Sequence, residues 1–119
     1  MKTKKGSFLT GILIVSLLLS MNVKGQSAKK HYKAGEDYVE SKKFEFAIDE
    51  FTKAVALDPD YTKAYIERGK LYDKAGNKEA AIEDFSKAVV FEPKNKELFY
   101  FLGKCYNEAG KYNLALGAL

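Results

Sequence analysis

The sequence predicts an all-α fold, an array of helical hairpins, and three observations carry that prediction. The stretch FTKAVALDP at Phe51 returns as FSKAVVFEP at Phe85, 34 residues on. Small and large residues recur in fixed columns at that interval. Apolar residues fall three and four apart, as in Ala47, Ile48, Phe51, Ala54 and Val55 and again in Ala81, Ile82, Phe85, Ala88 and Val89. That spacing gives an amphipathic helical stripe, and no useful length of chain alternates with the period of two that a strand needs.

Rows of 34 starting at Ala28, Thr62 and Lys96 make the columns explicit. Place eight is Gly35, Gly69 and Gly103; place eleven is Tyr38, Tyr72 and Tyr106; place twenty is Ala47, Ala81 and Ala115; place twenty-four is Phe51, Phe85 and Leu119. Glycine and alanine let two helices come close, and the rings fill the space beside them.

The first segment, residues 1–25, is a leader. It carries Lys2, Lys4, Lys5 and Lys24 with no acidic residue, then an apolar run from Phe8 to Leu19. Val23 and Gly25 stand at the −3 and −1 positions of a cleavage site, so a signal peptide cut after Gly25 is expected. The alternative is an uncleaved membrane anchor. A spanning helix needs about 20 apolar residues, and Phe8 to Val23 is shorter and interrupted by Thr10, Ser16, Ser20 and Asn22. With no cysteine near the site, lipid attachment has no acceptor. The leader accounts for all of the formal +4 charge: residues 26–119 hold 16 basic and 16 acidic side chains. A neutral body has no net field for phosphates, which argues against a nucleic-acid partner.

The first row, 28–61, breaks within VESKKFEF and ends at Pro59. The second, 62–95, breaks at KAGNKE, where Gly76-Asn77 is a strong stop signal, and ends at Pro93. The third, 96–119, breaks at EAGKYN around Gly110 and stops at Leu119, inside its second helix. Each row is thus helix, tight turn, helix, with proline setting the approach to the next row.

These columns, period and two-helix units resemble the tetratricopeptide repeat family over residues 28–119. The resemblance implies a right-handed helical-hairpin array of about five helices after the leader, with two complete repeats and an incomplete third. Two departures stand out. The fourth place, aromatic in the family, is His31, Tyr65 and Phe99. The seventh is Ala34, Arg68 and Leu102, so Arg68 interrupts an apolar column.

Catalytic constellations are missing from the pattern. The single histidine, His31, falls in a packing column and is read as structural rather than as a general base. One His and one Cys far apart in sequence give no metal site, and no cofactor is expected. Asp49/Glu50 and Glu83/Asp84 read as solvated helix faces rather than a carboxylate dyad. A lone cysteine, Cys105, forms no internal disulfide and reads as a buried, inert thiol.

Function is then a matter of surface. In the family, first helices line a concave groove. Carried over place by place, that groove holds Tyr32 and Glu36 in the first row, Ile66 and Lys70 in the second, and Tyr100 and Lys104 in the third. Tyr32, Ile66 and Tyr100 share one place and form an apolar strip suited to anchoring a partner; alternatively these rings cover their own repeat interfaces. Some family members grip a C-terminal carboxylate with cationic residues. The matching places here are Tyr32, Glu36, Glu67, Glu97 and Phe101; none is cationic and three are acidic, so a carboxylate is repelled there.

The reading is a non-enzymatic scaffold binding a protein or peptide, exported to the periplasm or secreted by a bacterial-type leader, and membrane-bound only if the leader is uncleaved. Two alternatives are carried. The uncapped third repeat, with Leu114, Leu116 and Leu119, is an association face for homo-oligomers; or the chain is the N-terminal part of a larger envelope protein whose activity lies downstream.

Overall fold

The computed structural model describes residues 2–110, with side chains from residue 12 onward. Five helices follow in order: α1 (Lys2–Glu40), α2 (Phe44–Leu57), α3 (Thr62–Lys74), α4 (Lys78–Phe91) and α5 (Lys96–Glu108). The described residues contain no strand. α1 packs on α2, α2 on α3, α3 on α4 and α4 on α5, the serial pattern of a one-dimensional array.

Each turn is made by backbone geometry. Place fifteen of each row is left-handed: Lys42 has φ 60°, Gly76 φ 86° and Gly110 φ 71°. After α1, the Lys43 N–H donates to the Tyr38 carbonyl at 2.8 Å; after α3, the Asn77 N–H donates to the Tyr72 carbonyl at 2.9 Å. These six-to-one bonds satisfy carbonyls that a helix end leaves open. Asn77 then caps α4 by accepting from the Ala80 N–H, and Asn95 caps α5 by accepting from the Glu97 N–H. Lys43, the residue before α2, gives that helix no side-chain cap.

The core forms two clusters. Ala47, Phe51, Ala54, Ala64 and Leu71 make the first, and Tyr65, Ala81, Phe85, Ala88, Leu98 and Cys105 the second. The small and large columns meet as the pattern implies. A Cβ on Gly35 would lie 2.5 Å from the Phe51 ring, and one on Gly69 2.9 Å from the Phe85 ring. At Gly103 no described atom stands within 4 Å; its partner by pattern, Leu119, falls outside the described residues, as do Leu114 and Leu116.

One expectation is corrected. The acidic residues of α2 and α4 are not all solvated: Asp84 is 2 % exposed, and the Glu50 side chain is largely covered. Each has hydrogen-bonding partners in place of water: Asp84 the Arg68 guanidinium, Glu50 the His31 ring and Lys53. Arg68 explains its own departure from an apolar column. Its guanidinium grips Asp84 through Nε–Oδ2 at 2.8 Å and Nη2–Oδ1 at 2.7 Å, and donates to the Thr52 hydroxyl of α2 at 3.1 Å.

The leader is continuous with the first repeat, so α1 runs 39 residues without a break. Ile12 to Val23 is exposed on every side of it, between 47 % and 71 % for its large apolar residues. Among the described residues no helix is long and apolar enough to cross a membrane.

Candidate partner-binding groove

The first helices α1, α3 and α5 carry the residues expected to meet a partner, and the structure divides them. Tyr32 is half-buried: its ring stacks on Tyr61 at 5.1 Å and tilts against Phe51 at 5.5 Å. Burial, then the hydrogen bond and negative charge of Glu36 and the charge of Glu67, push its hydroxyl well above the usual phenol range. Ile66 is partly buried against the second core cluster. Tyr100 is different. It is 67 % exposed and touches Phe101 edge-on at 5.7 Å, while Phe101 itself stacks on Phe85 at 5.2 Å. Of the three-residue strip, the first two members serve repeat packing and the third stands open.

The groove cations are occupied. Lys70 Nζ sits 3.5 Å from carboxylate oxygens of both Glu67 and Glu97. Lys104 Nζ lies 3.2 Å from Asp73 and 3.8 Å from Glu108. Asp73 also pairs with Lys78, which reaches Glu108 as well. Burial opposes ionisation of Asp73, but the hydrogen bonds from Lys78 and Lys104 outweigh it and hold its pKa below the usual carboxylate range. The Cys105 thiol donates to Asp73 at 3.6 Å; burial, with the Asp73 charge, pushes it up to about 11. At neutral pH that thiol is protonated and inert.

Between α1 and α3 lies a cleft of about 370 Å³, lined by Glu36, Asp37, Glu40, Glu67 and Lys33, with Val39 and Phe51 behind them. His31, on the opposite flank of α1, bonds Glu50 through Nδ1 at 2.6 Å and ties α1 to α2. The hydrogen bond from His31 is the main cause that lowers the Glu50 pKa. Among the described residues no group of three or more His, Cys, Asp or Glu side chains is placed to hold a metal ion.

Sequence reasoning missed the Asp73–Lys78–Lys104–Glu108 network, because its members come from three helices and share no column. The Arg68–Asp84 pair did leave a signal: two opposite charges, 16 residues apart, both beside apolar columns of one row.

An array of helical hairpins with an open first-helix face defines a class, the helical-repeat interaction scaffold. The family profile described as a TPR repeat matches residues 35–76, and that described as a Tetratricopeptide repeat matches residues 62–95. The chain belongs to the tetratricopeptide repeat family. A crystal structure of MamA protein is similar over 76 % of this chain and 50 % of that one, at 28 % identity and a TM-score of 0.70. The second TPR of Spaghetti (RPAP3), bound to the HSP90 peptide SRMEEVD, is similar over 78 % and 85 %, at 25 % identity and 0.71. YrrB, a TPR protein with an unusual peptide-binding site, is similar over 73 % and 45 %, at 26 % identity and 0.64. This chain thus spans about half the length of MamA and of YrrB. No curated protein matches it in sequence.

Proposed function

We propose that this protein is an exported, non-enzymatic scaffold that holds a protein or peptide segment across α1, α3 and α5, with Tyr100 as its anchor. One observation carries the reading: Tyr100 is a large aromatic residue left open on the first-helix face, beside a partly buried Phe101 that stacks on Phe85 of the core. An aromatic side chain with a polar tip, fixed from behind, offers contact area at little entropic cost. Similar solved structures, one bound to a peptide and one with a peptide-binding site, support a ligand of that kind. The seven-residue ligand named for one of them ends in Glu-Val-Asp; the acidic Glu36, Glu67 and Glu97 here disfavour such a tail.

Export rests on the leader, whose apolar stretch projects without packing partners among the described side chains. Mass spectrometry of the protein from its host tests it: a chain beginning at Gln26 supports cleavage, and an intact Met1 chain in the membrane fraction supports an anchor. For the groove, capture from a host envelope extract by the wild type and by Tyr100→Ala is compared. Equal capture by the two removes Tyr100 from the site.

A further inference from the structure

The body of the chain is electrically neutral, yet its charges are sorted. The α1–α2 turn is basic and apolar together. Lys42 holds a left-handed backbone where the other two turns use glycine, and Lys43 follows it. Neither lysine has a carboxylate partner among the described residues, and Lys74 nearby rests on the Phe44 ring at 4.4 Å rather than on an acid. Beside them Phe46, stacked on Tyr38 at 5.4 Å, is 57 % exposed. A surface recess of about 310 Å³ runs along Lys42 to Phe46.

The cleft between α1 and α3 is the converse. Four acids, Glu36, Asp37, Glu40 and Glu67, line it against one lysine, Lys33; the first three have no ion-pair partner among the described residues, and Glu67 shares Lys70 at 3.5 Å. A ligand for this cleft has to bring positive charge. The turn that follows Glu40 in the same chain carries that charge next to the exposed Phe46.

We propose that the Lys42–Lys43 turn of one copy docks on the Glu36–Glu40 cleft of a second copy. Basic and acidic patches that adjoin at the C-terminal end of α1 make a self-complementary surface, the arrangement an isologous two-fold contact requires. Each turn then meets the other copy's cleft, and two contacts form at once. Glu36 belongs to both this contact and the groove, so a second copy competes with any groove ligand reaching α1.

The test is a charge swap, read by sedimentation of the protein as its host produces it. Wild type is expected to dimerise reversibly, and more weakly at about 1 M salt, where the screening length is about 3 Å. The double variants Lys42→Glu/Lys43→Glu and Glu36→Lys/Glu40→Lys should each weaken the dimer by about tenfold or more. Mixing the two should restore association, because every contact then joins opposite charges again; rescue also shows that both variants are folded. A wild type that stays monomeric at every concentration overturns the proposal. So does loss in both variants without rescue on mixing. Dimerisation indifferent to both swaps but abolished by Leu116→Lys overturns it in favour of the third-repeat face.

Discussion

The Phe85 ring occupies the space that a side chain on Gly69 would need. A Cβ there would stand 2.9 Å from Cε1 and 3.1 Å from Cδ1 and Cζ, with Phe85 itself fully buried. Gly35 and Phe51 repeat the relationship one row earlier, more tightly at 2.5 Å. The distance between the two helices of a repeat is therefore set by a missing methyl group.

Gly69→Leu should destabilise the protein by about 1–3 kcal/mol through overpacking, clearly more than Lys70→Leu beside it. Thermal denaturation of the two variants checks this. Equal melting temperatures would mean that the helices separate freely at Gly69.

Lys42 supplies a prediction of opposite sign. A left-handed backbone costs an L-residue about 1–2 kcal/mol relative to the right-handed form, and glycine avoids most of that while losing more freedom on folding. Lys42→Gly should stabilise the fold by roughly 0.5–1 kcal/mol. Chemical denaturation measures it, and the same substitution at Lys43, outside the left-handed position, should bring no such gain.

The glycine and phenylalanine columns were legible in the sequence because packing of repeats demands the same volumes every 34 residues. So were the three turns, since Gly76-Asn77 and Gly110 announce left-handed ends; Lys42 fitted only by its place in the row. Charge was less legible. Asp84 looked like one more acid on a helix face, because sequence spacing alone does not say that Arg68 reaches across from α3. Tyr32 and Tyr100 share a column yet differ in burial. The neighbour that covers Tyr32 is Tyr61, from the loop before α3, and it stacks only once the repeats are assembled.

The Arg68–Asp84 pair is nearly dry, with side chains 14 % and 2 % exposed. Removing one partner strands the other, so Asp84→Ala or Arg68→Met should each cost about 3–5 kcal/mol. Replacing both by apolar residues should recover much of that loss. A double-mutant cycle by urea denaturation checks the coupling; additive losses would show that the two groups act independently.

Glu50 and Asp73 both have folded pKa values below their ordinary ones. The sign follows from linkage. A carboxylate that is harder to protonate when folded stabilises the fold above its unfolded pKa, about 4, and loses that contribution as pH falls through the folded value. The contribution of these two carboxylates should therefore be level above about pH 5, and stability should decline below about pH 4. Glu50→Gln should flatten part of the decline, measured as the urea midpoint against pH; an unchanged acid limb would remove the His31–Glu50 bond from the account.

Tyr32 and Tyr100 occupy one place in the repeat, and their surroundings assign them different work. Tyr32 is stacked between Phe51 and Tyr61, so Tyr32→Ala opens a cavity at the junction of the first two repeats and should cost about 2–4 kcal/mol of stability, toward the lower end because the ring is only half-buried. Tyr100 packs on one flank alone, so Tyr100→Ala should change stability by no more than about 0.5 kcal/mol. Binding should follow the reverse order. An exposed aromatic anchor contributes about 2 kcal/mol or more, so the Tyr100 variant should lose partner affinity by roughly thirtyfold while staying folded by circular dichroism. Isothermal titration with a captured partner measures both variants. A Tyr100→Ala protein that binds as wild type, next to a folded Tyr32→Ala protein that does not, would move the anchor from α5 to α1.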